Sequence, residues 1–96
     1  MILSFKDPAA EDLFNGVHSK KVLKLPQTLW GVARRKLDML NAAHELGDLR
    51  IPPSNRLESL KGDLKGFHSI RINDQFRAVF KWQEHGVSEV QIMDYH

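Results

Sequence analysis

Phe76-Arg77-Ala78-Val79-Phe80-Lys81-Trp82 is the stretch that decides the fold. Its large or apolar members Phe76, Ala78, Phe80 and Trp82 recur at every second position, the period of a strand and not of a helix. Successive side chains on a pleated strand point to opposite faces, so this set faces a core while Arg77, Val79 and Lys81 face away. The same period of two holds from Arg56 onward and predicts further strands over residues 57–60, 67–72 and 87–93. Lys61-Gly62-Asp63, Asn73-Asp74 and Glu84-His85-Gly86 separate them, and turns of that composition join antiparallel neighbours.

Upstream the period changes to that of helices. Asp7-Pro8 pairs an N-cap residue with proline at the first helical position, and Ala10, Leu13, Phe14 and Val17 follow at i, i+3, i+4 and i+7. Gly16 is placed to end this short helix in a left-handed conformation. Before it, the apolar run at residues 2–5 reads as a strand. After a basic connector containing Lys20, Lys21 and Lys24, Pro26 opens a second, longer helix running to about Ala43. Leu29, Val32, Ala33, Leu37 and Leu40 line one side of it, with Arg34, Arg35 and Asp38 on the other. Gly47 and Pro52-Pro53 forbid its continuation. The order strand, helix, helix and four strands predicts an α+β fold, two N-terminal helices on one face of a small, mainly antiparallel sheet. The opposite face is left for function.

A chain of 96 residues with 42% hydrophobic content is expected to form one domain over residues 1–96. With no cysteine, neither a disulfide nor a thiolate zinc ligand or nucleophile is available. No leader-like or membrane-spanning run is present, so a cytoplasmic protein without membrane association is expected. The net charge of +2 is unevenly spread. From Arg50 to Lys81 there are seven cations against three anions, whereas the remainder holds seven cations and nine anions. A polyanion would be drawn to the C-terminal half, although charge on this scale also serves solvation.

On the outward strand face Arg77 precedes Lys81 by four residues, and Lys61 lies at the lip of a turn. A guanidinium fork and lysine point charges suit a phosphodiester and the added charge of its transition state. A solvated strand face is the competing reading. The closing Asp94-Tyr95-His96 places two titratable rings after a strand anchored by Val90 and Ile92, although terminal residues commonly fray. Beside Arg77 such a pair would serve acid–base cleavage of RNA, with the ribose 2′-hydroxyl as internal nucleophile and no metal required. The five histidines never fall three or four apart, so no helical metal clamp exists and no metal site is assigned. Gly62 and Gly66 form no phosphate-binding loop. His68 shares parity with Ile70 and Ile72 and reads as a core-edge histidine, and Trp30 and Trp82 read as packing residues.

The segments Arg56 to Asp63, Gly66 to Asn73, Gln75-Phe76-Arg77, Phe80-Lys81-Trp82 and Asp94-Tyr95-His96 together resemble the HigB-type toxins of the RelE/ParE superfamily. The Leu-Lys-Gly-Asp and terminal Asp-Tyr-His elements are its most specific parts. The resemblance implies a RelE-like fold and a ribosome-dependent endoribonuclease that cuts mRNA without a cofactor. It implies a helix-turn-helix antitoxin of the HigA type, with operator DNA bound through that antitoxin, and the A site of the small ribosomal subunit as the place of cutting. Carried onto this sequence, Lys61 and Arg77 would hold the scissile phosphate, and Tyr95 and His96 would orient the 2′-hydroxyl or transfer protons. Lys81 and Arg71 would add substrate binding. Glu58 stands three residues before Lys61, where some relatives carry histidine, and is assigned to substrate binding with a proton-accepting role open to it. Two rivals use the same scaffold: a ParE-like toxin that inhibits gyrase, and a noncatalytic RNA-binding or corepressor module.

Overall fold

The computed structural model describes residues 1–94. Helix α1 (Pro8–Phe14) begins where the sequence places it, with the Asp7 carboxylate accepting from the Ala9 amide at 2.9 Å. It ends where Gly16 was placed to end it, with Asn15 as the C-cap. The chain reverses at Gly16, whose φ of 75° suits a residue without Cβ, and Val17 leaves the buried stripe to stand 49% exposed. The basic connector contains a further one-turn helix, α2 (Lys20–Leu23), capped by the Ser19 hydroxyl. Long-range periodicity does not reveal a single turn. α3 (Gln27–Ala42) follows, and buries Leu29, Ala33, Leu37 and Leu40. Lys36 shares its buried side.

A connector of short 3-10 turns at Leu46–Arg50 and Pro53–Asn55 leads to the sheet. Its strands are β1 (Glu58–Ser59), β2 (His68–Arg71), β3 (Phe76–Gln83) and β4 (Gly86–Asp94). They pair antiparallel in the order β1-β2-β3-β4. The fold is thus α+β, a four-stranded antiparallel sheet with helices on one face. Ile70, Ala78, Phe80, Val87 and Val90 meet Leu29, Ala33, Leu37 and Leu40 in the main core. His68 lies at its rim as expected, stacked on Phe80 with ring centroids 6.0 Å apart. No helix among the described residues is long and apolar enough to cross a membrane.

The predicted first strand is reduced to two isolated parallel bridges, Ile2 to Val87 and Phe5 to Val90. The reason lies in β4. A register shift against β3 falls between Val79 and Lys81, and there Glu89 takes a left-handed φ of 52°. The Glu89 amide donates to the Ser4 hydroxyl at 2.9 Å, a side-chain bond where a regular ladder uses backbone. At the other end, the Val87 amide donates to the Met1 carbonyl at 2.9 Å. This close approach requires Gly86: with φ 152°, a Cβ there would lie 2.1 Å from the Met1 carbonyl oxygen. Gly86→Ala is therefore expected to displace the N-terminal segment and destabilise the fold by about 1–3 kcal/mol, read as a lower urea midpoint.

Candidate nucleic-acid-binding and catalytic face

The face of the sheet away from the helices is not bare, contrary to the expectation from sequence. Leu60, Phe67 and Val79 form a second small core there, with Leu64 and Met93 packed against it. The 3-10 turn at Gly62–Leu64 folds the chain back, and the Leu60 amide donates to the Phe67 carbonyl at 2.9 Å. Arg77 stands beside this cluster and is only 7% exposed.

Sheet register assembles the polar part of the face. Antiparallel partners lie on the same side, and Glu58 opposes Ser69, Ser69 opposes Val79, and Arg71 opposes Arg77. The Arg77 Nε donates to the Ser69 hydroxyl at 2.8 Å, and Nη2 donates to the Arg56 carbonyl at 2.6 Å. The Glu58 carboxylate is 3.8 Å from Nη2, a longer ion pair. Arg56 reaches its position with a left-handed φ of 46°, a conformation costing an L-residue roughly 1–2 kcal/mol. Its neighbour Asn55, fully buried, secures that turn. The Asn55 amide donates to the Leu49 carbonyl at 3.1 Å and the Ile51 carbonyl at 3.4 Å, and its oxygen accepts from the Lys36 ammonium. Burial holds the Lys36 pKa below its ordinary 10.5, and the charges of Arg35 and Arg71 lower it further.

The other predicted site residues are placed differently. Lys61 is exposed and caps the 3-10 turn through its carbonyl, which accepts from the Leu64 amide at 3.3 Å, while its side chain makes no cap bond. Lys81 pairs with Glu89 at 3.1 Å and lies 5.0 Å from the centre of the Phe67 ring. Arg71 is ion-paired with Asp74 across the β2–β3 turn. Tyr95 and His96 lie outside the described residues. Sequence reasoning missed Lys6, whose ammonium is 5.7 Å from the same Phe67 ring. The parallel pairing of residues 2–5 with β4 carries it there, and no local pattern links position 6 to position 81. Asp94, the last residue of β4, accepts from the Gln75 side-chain amide at 2.9 Å.

Chemically, the face offers a sheltered guanidinium with fixed orientation and the lysines Lys6 and Lys81 at Phe67, with Lys61 on the adjoining turn. A fork held by hydrogen bonds loses little freedom on meeting an anion, whereas exposed lysines follow a backbone loosely.

A family model described as the RelE-like toxin of the type II toxin-antitoxin system HigB matches residues 3–96. Toxin HigB-1 of Vibrio cholerae is 42% identical over 96 residues, spanning 100% of this chain and 98% of that protein. This chain belongs to the HigB-like family of RelE-like toxins. An uncharacterized protein of Haemophilus influenzae is 39% identical over 69 residues, 72% of this chain and 68% of its own. The protein is the toxin of a type II toxin–antitoxin system, and so has an antitoxin for partner.

The turn that supports Arg77 can be tested in the toxin itself. Asn55→Ala strands the Lys36 ammonium in a buried site and is expected to cost about 1–3 kcal/mol at neutral pH. Because the fold depresses the Lys36 pKa, the folded chain binds fewer protons than the unfolded one between that value and 10.5, and stability gains from this group as pH rises. The cost of Asn55→Ala should then shrink as Lys36 loses its proton, measured by denaturation at neutral pH and near pH 10.

Proposed function

We propose that this toxin is a ribosome-dependent endoribonuclease that cuts mRNA through attack of a ribose 2′-hydroxyl on the adjacent phosphate. The observation that carries the proposal is the Arg77 guanidinium, oriented by Ser69 and the Arg56 carbonyl on a face whose lysines are well suited to a phosphate backbone. Family membership supports a toxin, and this geometry supports phosphoryl chemistry as its means.

In the proposed reaction the 2′-oxygen forms a bond to phosphorus while the bond from phosphorus to the 5′-oxygen breaks, leaving a cyclic phosphate and a 5′-hydroxyl. A base takes the 2′-proton, and an acid returns one to the leaving oxygen. Arg77 and Lys61 hold the phosphate and stabilise the charge that grows on its equatorial oxygens. Tyr95 and His96 orient the 2′-hydroxyl and move the protons. Lys81 and Arg71 contribute to binding, with Lys6 beside Lys81. Glu58 faces Arg77 at a distance long enough for an arriving phosphate to displace it, and its carboxylate then lies near the reacting atoms as a proton acceptor.

So small a face grips little RNA alone. Docking in the A site of the small ribosomal subunit would supply alignment of the scissile bond, a contribution that can reach roughly 7 kcal/mol or more. The proposed setting is the bacterial cytoplasm, where a HigA-like helix-turn-helix antitoxin neutralises the toxin and carries the pair to operator DNA.

Arg77→Ala and His96→Gln are each expected to lower mRNA cleavage during translation by roughly 10²- to 10⁴-fold and to abolish growth arrest. Antitoxin binding should be kept. Persistence of toxicity in both variants would exclude the nuclease, and inhibition of gyrase by them would favour the ParE-like alternative. Lys6→Ala and Lys81→Ala should act instead on affinity, each flattening the salt dependence of binding to single-stranded RNA by about 0.7 in log–log slope.

A further inference from the structure

The helical layer carries a feature that phosphate chemistry leaves unused. Between the end of α1 and the middle of α3 lies a groove of about 150 Å³, walled by Leu13, Val17, His18 and Trp30. Gly31 lies on its α3 side and Arg34 at its edge, with Arg34 reaching the turn at Gly16. Ligand pockets for small molecules run to about 300 Å³ and more, so this groove has room for one large apolar side chain and not for a metabolite. Val17 is 49% exposed there, and Leu23 on the adjoining α2 is 63% exposed.

Charge defines the partner further. From Leu13 to Leu37 the chain holds six cations and no Asp or Glu. Lys36 is buried against Asn55, but Lys20, Lys21, Lys24, Arg34 and Arg35 are exposed. An apolar slot edged by cations is complementary to an apolar anchor flanked by carboxylates. Nucleic acid fits less well. The Trp30 ring is engaged by His18 at 5.6 Å between centroids, and its indole N–H donates to the Leu25 carbonyl at 3.1 Å. A short groove of this volume also gives a phosphate backbone no extended track to follow.

We infer that this α1–α3 groove is a docking site for the antitoxin, receiving a large apolar side chain from an acidic segment of it. The inference rests on the toxin's having an antitoxin partner and is independent of the nuclease reading. The apolar residue fills the groove beside Trp30, and carboxylates on either side meet Arg34 and the lysines of α2. Exposure of Val17 and Leu23 in the free toxin is then the cost of keeping the site open.

Gly31 allows a test that does not weaken the fold. Its φ is not in the left-handed region, and an added Cβ would come near only the flexible Arg35 guanidinium, at 3.7 Å. Gly31→Gln fills the groove from its α3 side while replacing glycine with a better helix former. Arg34→Gln removes the edge charge. The full-length toxin is titrated with antitoxin recovered from the native complex, by calorimetry at low and moderate salt, with thermal melting of each variant. Both variants are expected to bind at least tenfold more weakly without a lower melting temperature for Gly31→Gln, and Arg34→Gln is expected to lose part of the salt dependence. Antitoxin affinity within twofold of the unmodified toxin in both variants would overturn the proposal. So would unchanged antitoxin binding together with weaker binding of Arg34→Gln to ribosomes, which would assign the groove to RNA.

Discussion

A guanidinium with almost no contact with solvent has to be given partners before it can be given a task. Removing a charge from water costs several kcal/mol, and only well-placed acceptors return it. Among the described residues, acceptors for Arg77 come from three separate parts of the chain. Ser69 comes from the paired strand β2, Glu58 from the edge strand β1, and the Arg56 carbonyl from a left-handed turn before β1. The turn in its own right is unfavourable, and Asn55 holds it by reaching the carbonyls of Leu49 and Ile51 and the ammonium of Lys36 on α3. The helical layer, the connector and the sheet are thereby tied to one side chain. The result is a cation whose direction is set by the fold itself.

The same economy governs the sheet edge. β4 accepts the N-terminal segment only because Gly86 leaves room for the Met1 carbonyl and because Glu89 turns left-handed at the register shift. Glu89 is strained there, yet its carboxylate reaches Lys81 and its amide reaches Ser4. The bulge thus links the segment that carries Lys6 to the strand that carries Lys81, and both ammoniums approach Phe67. Irregularity in the ladder is what gathers these lysines.

Much of the fold was legible because it follows from period. The alternation at residues 76–82, the stripe on α3 and the Asp7-Pro8 start each reflect local rules that tertiary packing left intact. α2 escaped because one turn has no period, and Val17 because Gly16 redirects the chain before it. The face of the sheet was harder. Parity placed Arg77 and Val79 together correctly, but parity does not say whether a face is covered. That depended on residues 60–67 folding back over it, a three-dimensional event with no periodic trace. Lys6 was invisible for a related reason, since its neighbours on the face are 61 and 75 residues away in sequence. Tyr95 and His96 were singled out from the resemblance and from their chemistry, and they lie outside the described residues.

Charge shows how an average can hide a surface. Over residues 1–49 seven cations stand against six anions, a nearly neutral count. Six of those seven cations lie between Lys20 and Lys36, with no anion among them. The seventh, Lys6, is on the opposite side of the sheet at Phe67. Folding therefore sorts a nearly neutral half-chain into a basic edge on the helical layer and one added lysine on the outer face. Fields act over roughly a Debye length of 8–10 Å, so partners respond to these local patches and not to the net +2. Two basic surfaces thus lie on opposite faces, one beside an apolar slot and one around an oriented guanidinium, and they differ in chemistry.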